Sequence, residues 1–226
     1  LSEAAVDEMV GEVYGMDGVE MGVYAKPDGI YVRAISKAAT EPLAHKTLMA
    51  AEEKIRAALG EYIWGTDEEE PPKRVGDLLK ARKYTVAVME SCTGGMLGSA
   101  ITDISGSSNY FVGGAITYTE ASKIAAGVPA ETLERFGVYS REVAGAMARA
   151  ARETFGADCG VSVTGIAGGE DLTAPDGTEI KGGTVFIGVA HPNGVVVEEY
   201  RFPSRRALVR NRAVTAALLQ LAQVIK

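Results

Sequence analysis

A serine, a cysteine and a threonine precede two glycines in Glu90-Ser91-Cys92-Thr93-Gly94-Gly95, and covalent chemistry is sought there first. Ser91 and Cys92 are both candidate nucleophiles. Glycines let a backbone approach a ligand closely, and unpaired N–H groups at a helix start favour an anion such as phosphate. A second stretch, Thr164-Gly165-Ile166-Ala167-Gly168-Gly169, repeats the combination of hydroxyl and glycine. A serine nucleophile needs a base. The chain has only two histidines, His45 and His191, and neither accompanies these stretches, so a Ser-His-Asp arrangement is not expected. Lysine can substitute where burial lowers its pKa. Lys123 is the candidate, with Tyr118 five residues before it to orient it or share its proton. Cys92 stays open as the alternative nucleophile, since a thiolate attacks better and a helix start favours it.

Other schemes lack their residues. No G-x-x-x-x-G-K-[ST] loop and no G-x-S-x-G turn occurs, which argues against a P-loop hydrolase and an α/β-hydrolase elbow. Histidine and cysteine are too sparse for zinc-ligand spacing, so no metal is expected. Hydrophobic residues make up 46% and charged residues 23%, as in globular domains. The two cysteines, Cys92 and Cys159, suit a reducing compartment. No run approaches the about 18 apolar residues of a membrane span, and no signal-peptide pattern opens the chain. The expected location is cytoplasmic, without membrane partners. The chain opens on Leu1, and a longer parent protein is expected.

Charge divides the chain. Residues 1–68 hold 6 Lys/Arg against 13 Asp/Glu, whereas residues 69–226 hold 17 of each. Neither part carries a basic stripe, so nucleic acid is not an expected partner. The run Thr66-Asp67-Glu68-Glu69-Glu70-Pro71-Pro72 reads as a solvated connector, which places a domain boundary at 68/69. Before it, residues 21–25 and 30–35 read as strands around the turn Lys26-Pro27-Asp28-Gly29. Apolar spacing predicts a helix over 41–59 with Gly60 at its end, and residues 62–64 read as a third strand. This is a small α+β domain.

After the connector, helix and strand alternate. Helices are expected over 75–82, from 96 to about 104, over 140–155 with Ser140 as N-cap, and from about 204 to 225. Strands are expected over 85–89, 115–118 and 159–164, with a hairpin of 184–190 and 195–202 across His191-Pro192-Asn193-Gly194. The pattern predicts an α/β fold, a three-layer α/β/α domain with a mixed sheet. In such sheets ligands sit beyond the carboxyl ends of the strands, where both glycine-rich stretches would lie.

With these motifs in order, the chain resembles the CinA C-terminal family, the nicotinamide-nucleotide amidases. The resemblance runs through Glu90-Ser91-Cys92-Thr93-Gly94-Gly95, Ile101-Thr102-Asp103-Ile104-Ser105-Gly106-Ser107-Ser108 and Gly114-Ala115-Ile116-Thr117-Tyr118 with Lys123. It continues through Thr164-Gly165-Ile166-Ala167-Gly168, Gly183-Thr184-Val185 and Arg206 with Val209-Arg210. Residues 1–68 resemble the small linking domain of longer CinA proteins. The resemblance implies an amidase acting on the carboxamide of nicotinamide mononucleotide, with Ser91 as nucleophile, Lys123 as base, Tyr118 as its partner and backbone N–H groups of the Ser91–Gly95 turn for the oxyanion. It implies substrate contacts from Cys92, Thr93, Gly94, Gly95, Ser107, Ser108, Thr164, Gly165, Gly168 and Arg206. It also implies no cofactor, a pyridine nucleotide as ligand, and a homodimer. Two departures are visible. Glu120 stands where the family usually has Asn, and a carboxylate there would favour charged Lys123. The stretch Gly169-Glu170-Asp171-Leu172-Thr173-Ala174-Pro175-Asp176-Gly177 is longer and more acidic than the family's glycine run. Both motivate the alternative of a non-catalytic pyridine-nucleotide-binding or interaction module.

Overall fold

A computed structural model describes every residue except Glu68 and Ser204. The chain forms two compact units, residues 1–68 and 69–226. Glu68, in the expected connector and at the expected boundary, lies outside the described residues.

In the first unit, α1 (Glu3–Met9) precedes a hairpin of β1 (Val19–Ala25) and β2 (Ile30–Ser36), then α2 (Glu41–Leu59). The hairpin turns at the Lys26–Gly29 segment, with Ala25 opposite Ile30. Met21, Val23, Ile30 and Val32 face one way and pack with Val6, Val10 and Leu59 from the helices, the period-2 pattern of a half-buried sheet. Residues 62–64 do not form the expected third strand. Gly60–Tyr62 is a 3-10 turn that winds off the end of α2, and the sheet has two strands.

The second unit begins with α3 (Pro71–Arg82), earlier than expected. Pro71 and Pro72 occupy the first helical positions, where a missing N–H costs nothing and a fixed φ helps. The chain continues through β3 (Val86–Glu90), α4 (Met96–Thr102), β4 (Phe111–Ile116), α5 (Glu120–Ala125), α6 (Ala130–Phe136), α7 (Arg141–Phe155) and β5 (Cys159–Gly165). A small hairpin, β6 (Leu172–Thr173) and β7 (Glu179–Ile180), occupies the acidic stretch. Then come β8 (Thr184–His191), β9 (Gly194–Arg201) and α8 (Arg206–Val224). Ser204, the expected helix start, lies outside the described residues. No helix among the described residues is long and apolar enough to cross a membrane.

Five strands form a mixed sheet in the order β4-β3-β5-β8-β9. β4, β3 and β5 are parallel, and β8 and β9 are added antiparallel. Val86 and Val88 of β3 face a layer of α3, α4 and α8, whereas Ala87 and Met89 face α7. The three-layer α/β/α architecture therefore follows from strands that are apolar on both faces.

The approach of α7 to the sheet is set by small residues. Gly160 on β5 faces it so closely that an added Cβ would lie 2.1 Å from the Ala148 carbonyl oxygen. Beside it, Ser162 donates to the Ala144 carbonyl at 2.6 Å, and a Cβ on Gly188 would lie 2.6 Å from that same oxygen. Overfilling such a seam forces backbone apart. Gly160→Ala is expected to destabilise the second unit by about 3 kcal/mol, read from urea denaturation. A change below about 0.5 kcal/mol would show that the seam is not tightly set.

Candidate functional site

β3 lies between two parallel neighbours, so the residue after it is gripped from both sides. The Glu90 carbonyl accepts from Thr117 N–H beyond β4 at 2.7 Å, and Ser91 N–H donates to Val163 O on β5 at 2.9 Å. The chain then turns through Gly94 and Gly95, whose φ values of 60° and 97° suit glycine. Gly94 N–H donates to the Ser91 carbonyl at 3.1 Å and Gly95 N–H to the Glu90 carboxylate at 3.0 Å. Among the described residues, the N–H groups of Cys92 and Thr93 donate to no carbonyl or carboxylate oxygen, and that of Cys92 meets only its own thiol.

Lys123 reaches this turn from α5. A reciprocal cap fixes that helix: Thr119 Oγ1 accepts from Ser122 N–H, and Ser122 Oγ accepts from Thr119 N–H. Lys123, one residue later, is 0% exposed. Its Nζ donates to Ser91 Oγ at 3.1 Å and to the Thr117 carbonyl at 2.7 Å. Neither partner is charged. Burial pulls the Lys123 pKa down to about 8, with Cys92 and then Glu120 acting weakly the other way. Glu120 is exposed, so the expected interference from its carboxylate exists but is outweighed.

The same burial weighs against Cys92 as nucleophile. Burial pushes its thiol up to about 11, although its own backbone N–H and then nearby Arg210 partly offset this. The lysine meets the serine hydroxyl instead.

Tyr118 is not the hydrogen-bond partner of Lys123 that the sequence suggested. β4 ends at Ile116, Thr117 turns inward, and Tyr118 is 56% exposed. Its hydroxyl accepts from Arg206 at 3.0 Å. Arg206 opens α8 beside Gly168, where an added Cβ would lie 3.2 Å from the Arg206 backbone nitrogen. Gly168 thus admits the helix start. Gly165 likewise admits β8, since its Cβ would lie 2.6 Å from Thr184 O. Thr164 is fully buried and its hydroxyl donates to Val138 O at 3.0 Å, so it ties β5 to the loop before α7. These three residues fit packing better than ligand contact.

Ser107 and Ser108 are not brought to Ser91. They form a 3-10 turn ahead of β4, at the amino end of a strand parallel to β3, whereas Ser91 follows the carboxyl end. A six-residue strand separates the two ends by about 20 Å.

Three residues that stood within the quoted motifs were given no role of their own. Glu90 closes an apolar strand, the one sequence signal it offered. Thr117 gave none. Arg210 stands four residues after Arg206 on α8, hence on the same face, and donates to the Thr93 carbonyl at 2.8 Å. The hydroxyls of Thr93 and Thr117 are buried without a protein partner. Among the described residues no His/Cys/Asp/Glu group could hold a metal ion.

Comparisons with known proteins identify the family of both units. Residues 68–225 match the family model of the CinA C-terminal domain, and residues 1–65 that of the damage-inducible protein CinA KH domain. A relative from Desulforamulus reducens, named as a competence-damage inducible protein, is 38% identical over 96% of this chain and 52% of its own length. One from Caldicellulosiruptor saccharolyticus is 40% identical over 100% of this chain and 54% of its own. The chain spans about half the length of these relatives. Among solved structures, the competence/damage inducible protein CihA from Agrobacterium tumefaciens has a TM-score of 0.64 at 34% identity, covering 73% of this chain and 99% of that one. A competence-damaged protein (CinA) superfamily protein from Escherichia coli has a TM-score of 0.64 at 30% identity, covering 72% and 94%.

If burial sets the state of the lysine, the side chain itself must titrate low. The ¹³Cε resonance of Lys123 is expected to shift with a midpoint of about 8. A midpoint near the ordinary 10.5 would show that the amine is solvated.

Proposed function

Because the chain belongs to the CinA C-terminal domain family, we propose that residues 69–226 act as a nicotinamide-nucleotide amidase, converting nicotinamide mononucleotide to nicotinate mononucleotide and ammonia. The observation that carries this reading is the fully buried amine of Lys123 at 3.1 Å from Ser91 Oγ. Neutral Lys123 takes the hydroxyl proton as Ser91 Oγ attacks the carboxamide carbon. The carbonyl oxygen becomes an oxyanion, for which the N–H groups of Cys92 and Thr93 are the donors still free in the turn. Lys123 passes its proton to the departing amine, so ammonia leaves as the C–N bond breaks and an ester on Ser91 remains. Water then attacks the ester, Lys123 accepts a proton from it and returns it to Ser91 Oγ, and the acid is released.

The surroundings suit an anionic substrate. Arg206 stands exposed at the mouth with Tyr118, a cation and a ring that can meet a phosphate and a pyridine. Arg210 is held inward on the Thr93 carbonyl and supports the turn. The alternative of a binding module rests on Glu120 and the acidic stretch. Glu120 fails to keep the lysine in its ordinary range, which favours the catalytic reading.

Ammonia release from nicotinamide mononucleotide tests the proposal. Ser91→Ala and Lys123→Ala should each lower kcat/KM by about 10³-fold or more, with unchanged circular dichroism. Tyr118→Phe should cost less than about tenfold, mostly in KM, because its hydroxyl meets Arg206 and not the lysine. Retention of more than about a tenth of the activity in Lys123→Ala would overturn the dyad. Binding of the nucleotide without ammonia release by wild-type protein would replace the amidase with the binding module.

A further inference from the structure

Glu90 is a buried carboxylate that this chemistry leaves unused, one residue before the nucleophile. Its side chain is 1% exposed. A carboxylate so placed is costly unless its oxygens are well hydrogen-bonded. Oε2 accepts from Gly95 N–H and Leu97 N–H, both at 3.0 Å, and Oε1 accepts from Gly98 N–H at 2.8 Å. These are the donors at the start of α4, a helix whose N-cap is Gly95 and which therefore has no side-chain cap of its own. Glu90 supplies that cap from the preceding strand. One side chain thus ties the end of β3 to the start of α4, and residues 91–94 become a closed loop.

Two things follow for the site. The carboxylate occupies the helix start, so the first N–H groups of α4 are not free to hold a substrate anion. The sequence-based expectation that the whole Ser91–Gly95 turn offers N–H groups narrows to Cys92 and Thr93. Their direction, and that of Ser91 Oγ toward Lys123, depends on how the loop is closed. Resting on the reading of Ser91 as nucleophile, we infer that Glu90 is the positioning residue of the nucleophile turn. Its carboxylate clamps the turn to α4, setting the angle at which Ser91 meets the amine and at which the two free N–H groups meet the oxyanion.

The test measures chemistry per competent serine, so that misfolded protein does not count. A fluorophosphonate ester, which forms a covalent bond to Ser91 Oγ with loss of fluoride, gives both the fraction of labelled chains and the labelling rate. Glu90→Gln keeps the size of the side chain but turns one oxygen into a donor facing a backbone N–H. The labelling rate and the kcat per labelled serine should each fall about tenfold to a hundredfold, with KM within about threefold of wild type. A purely structural role would lower the labelled fraction and the melting temperature while leaving the rate per labelled serine unchanged, and that result overturns the inference. If Glu90→Gln does not fold, Glu90→Asp, with its charge kept and its reach shortened, carries the same comparison; a wild-type rate per labelled serine again overturns it. Labelling needs no nucleotide. Wild-type protein that is labelled at Ser91 yet releases no ammonia defeats the proposed substrate without touching Glu90. Wild-type protein that cannot be labelled at Ser91 overturns both.

Discussion

An amine with no exposed surface must either find a counter-charge or give up its proton, and Lys123 finds only a carbonyl and a hydroxyl. That constraint organises the second unit. The unfolded chain keeps the proton up to the ordinary value of 10.5, and the folded chain releases it near 8. Below about 8 both states are protonated and folding bears the full cost of burying the charge. The cost fades as pH rises from 8 to 10.5, where the unfolded state binds more protons. A fold that tolerates such a penalty at neutral pH is better explained by a use for the neutral amine than by stability.

The sheet supplies the rigidity that makes the amine useful. Placement of β3 between β4 and β5 fixes Ser91 through its neighbours on both sides, and the same bonds place the Thr117 carbonyl on Lys123. The small residues that let α7 settle on β5 hold the opposite face. The loop before α7 is tied in turn to Thr164. The candidate site groups in this unit are carried by strand ends and short capped helices, where tertiary bonds and not intrinsic propensity decide geometry.

Much of this could be read from the residues alone. The long helices α2, α7 and α8 and the β8–β9 hairpin announce themselves by period and turn chemistry, and their order requires layered α/β architecture. α5, α6 and the β6–β7 hairpin escaped because six-, seven- and two-residue elements are too short for a period to register. The candidate turn was legible as hydroxyls beside glycines, and Lys123, which the structure brings to Ser91, by the shortage of histidine. Tyr118 was misplaced because the alternation of β4 runs on past its end at Ile116, so Tyr118 points outward like Ile116 and Thr117 between them is the buried residue. Ser107 and Ser108 could not be placed without the strand direction, which puts them at the far end of β4. Glu90 was invisible as a clamp, since a carboxylate that bonds only backbone leaves no partner side chain to recognise in a sequence.

The central claim is that burial makes Lys123 the base for Ser91. The most direct measurement is kcat/KM for amide hydrolysis as a function of pH, which reports the free enzyme's essential groups. Because only the neutral amine accepts the serine proton, activity should rise through a single midpoint of about 8 and level off above it. The residual activity of Lys123→Ala should lose that midpoint. A wild-type profile flat from pH 6 to 9, or a midpoint of about 8 that survives in Lys123→Ala, would contradict the account.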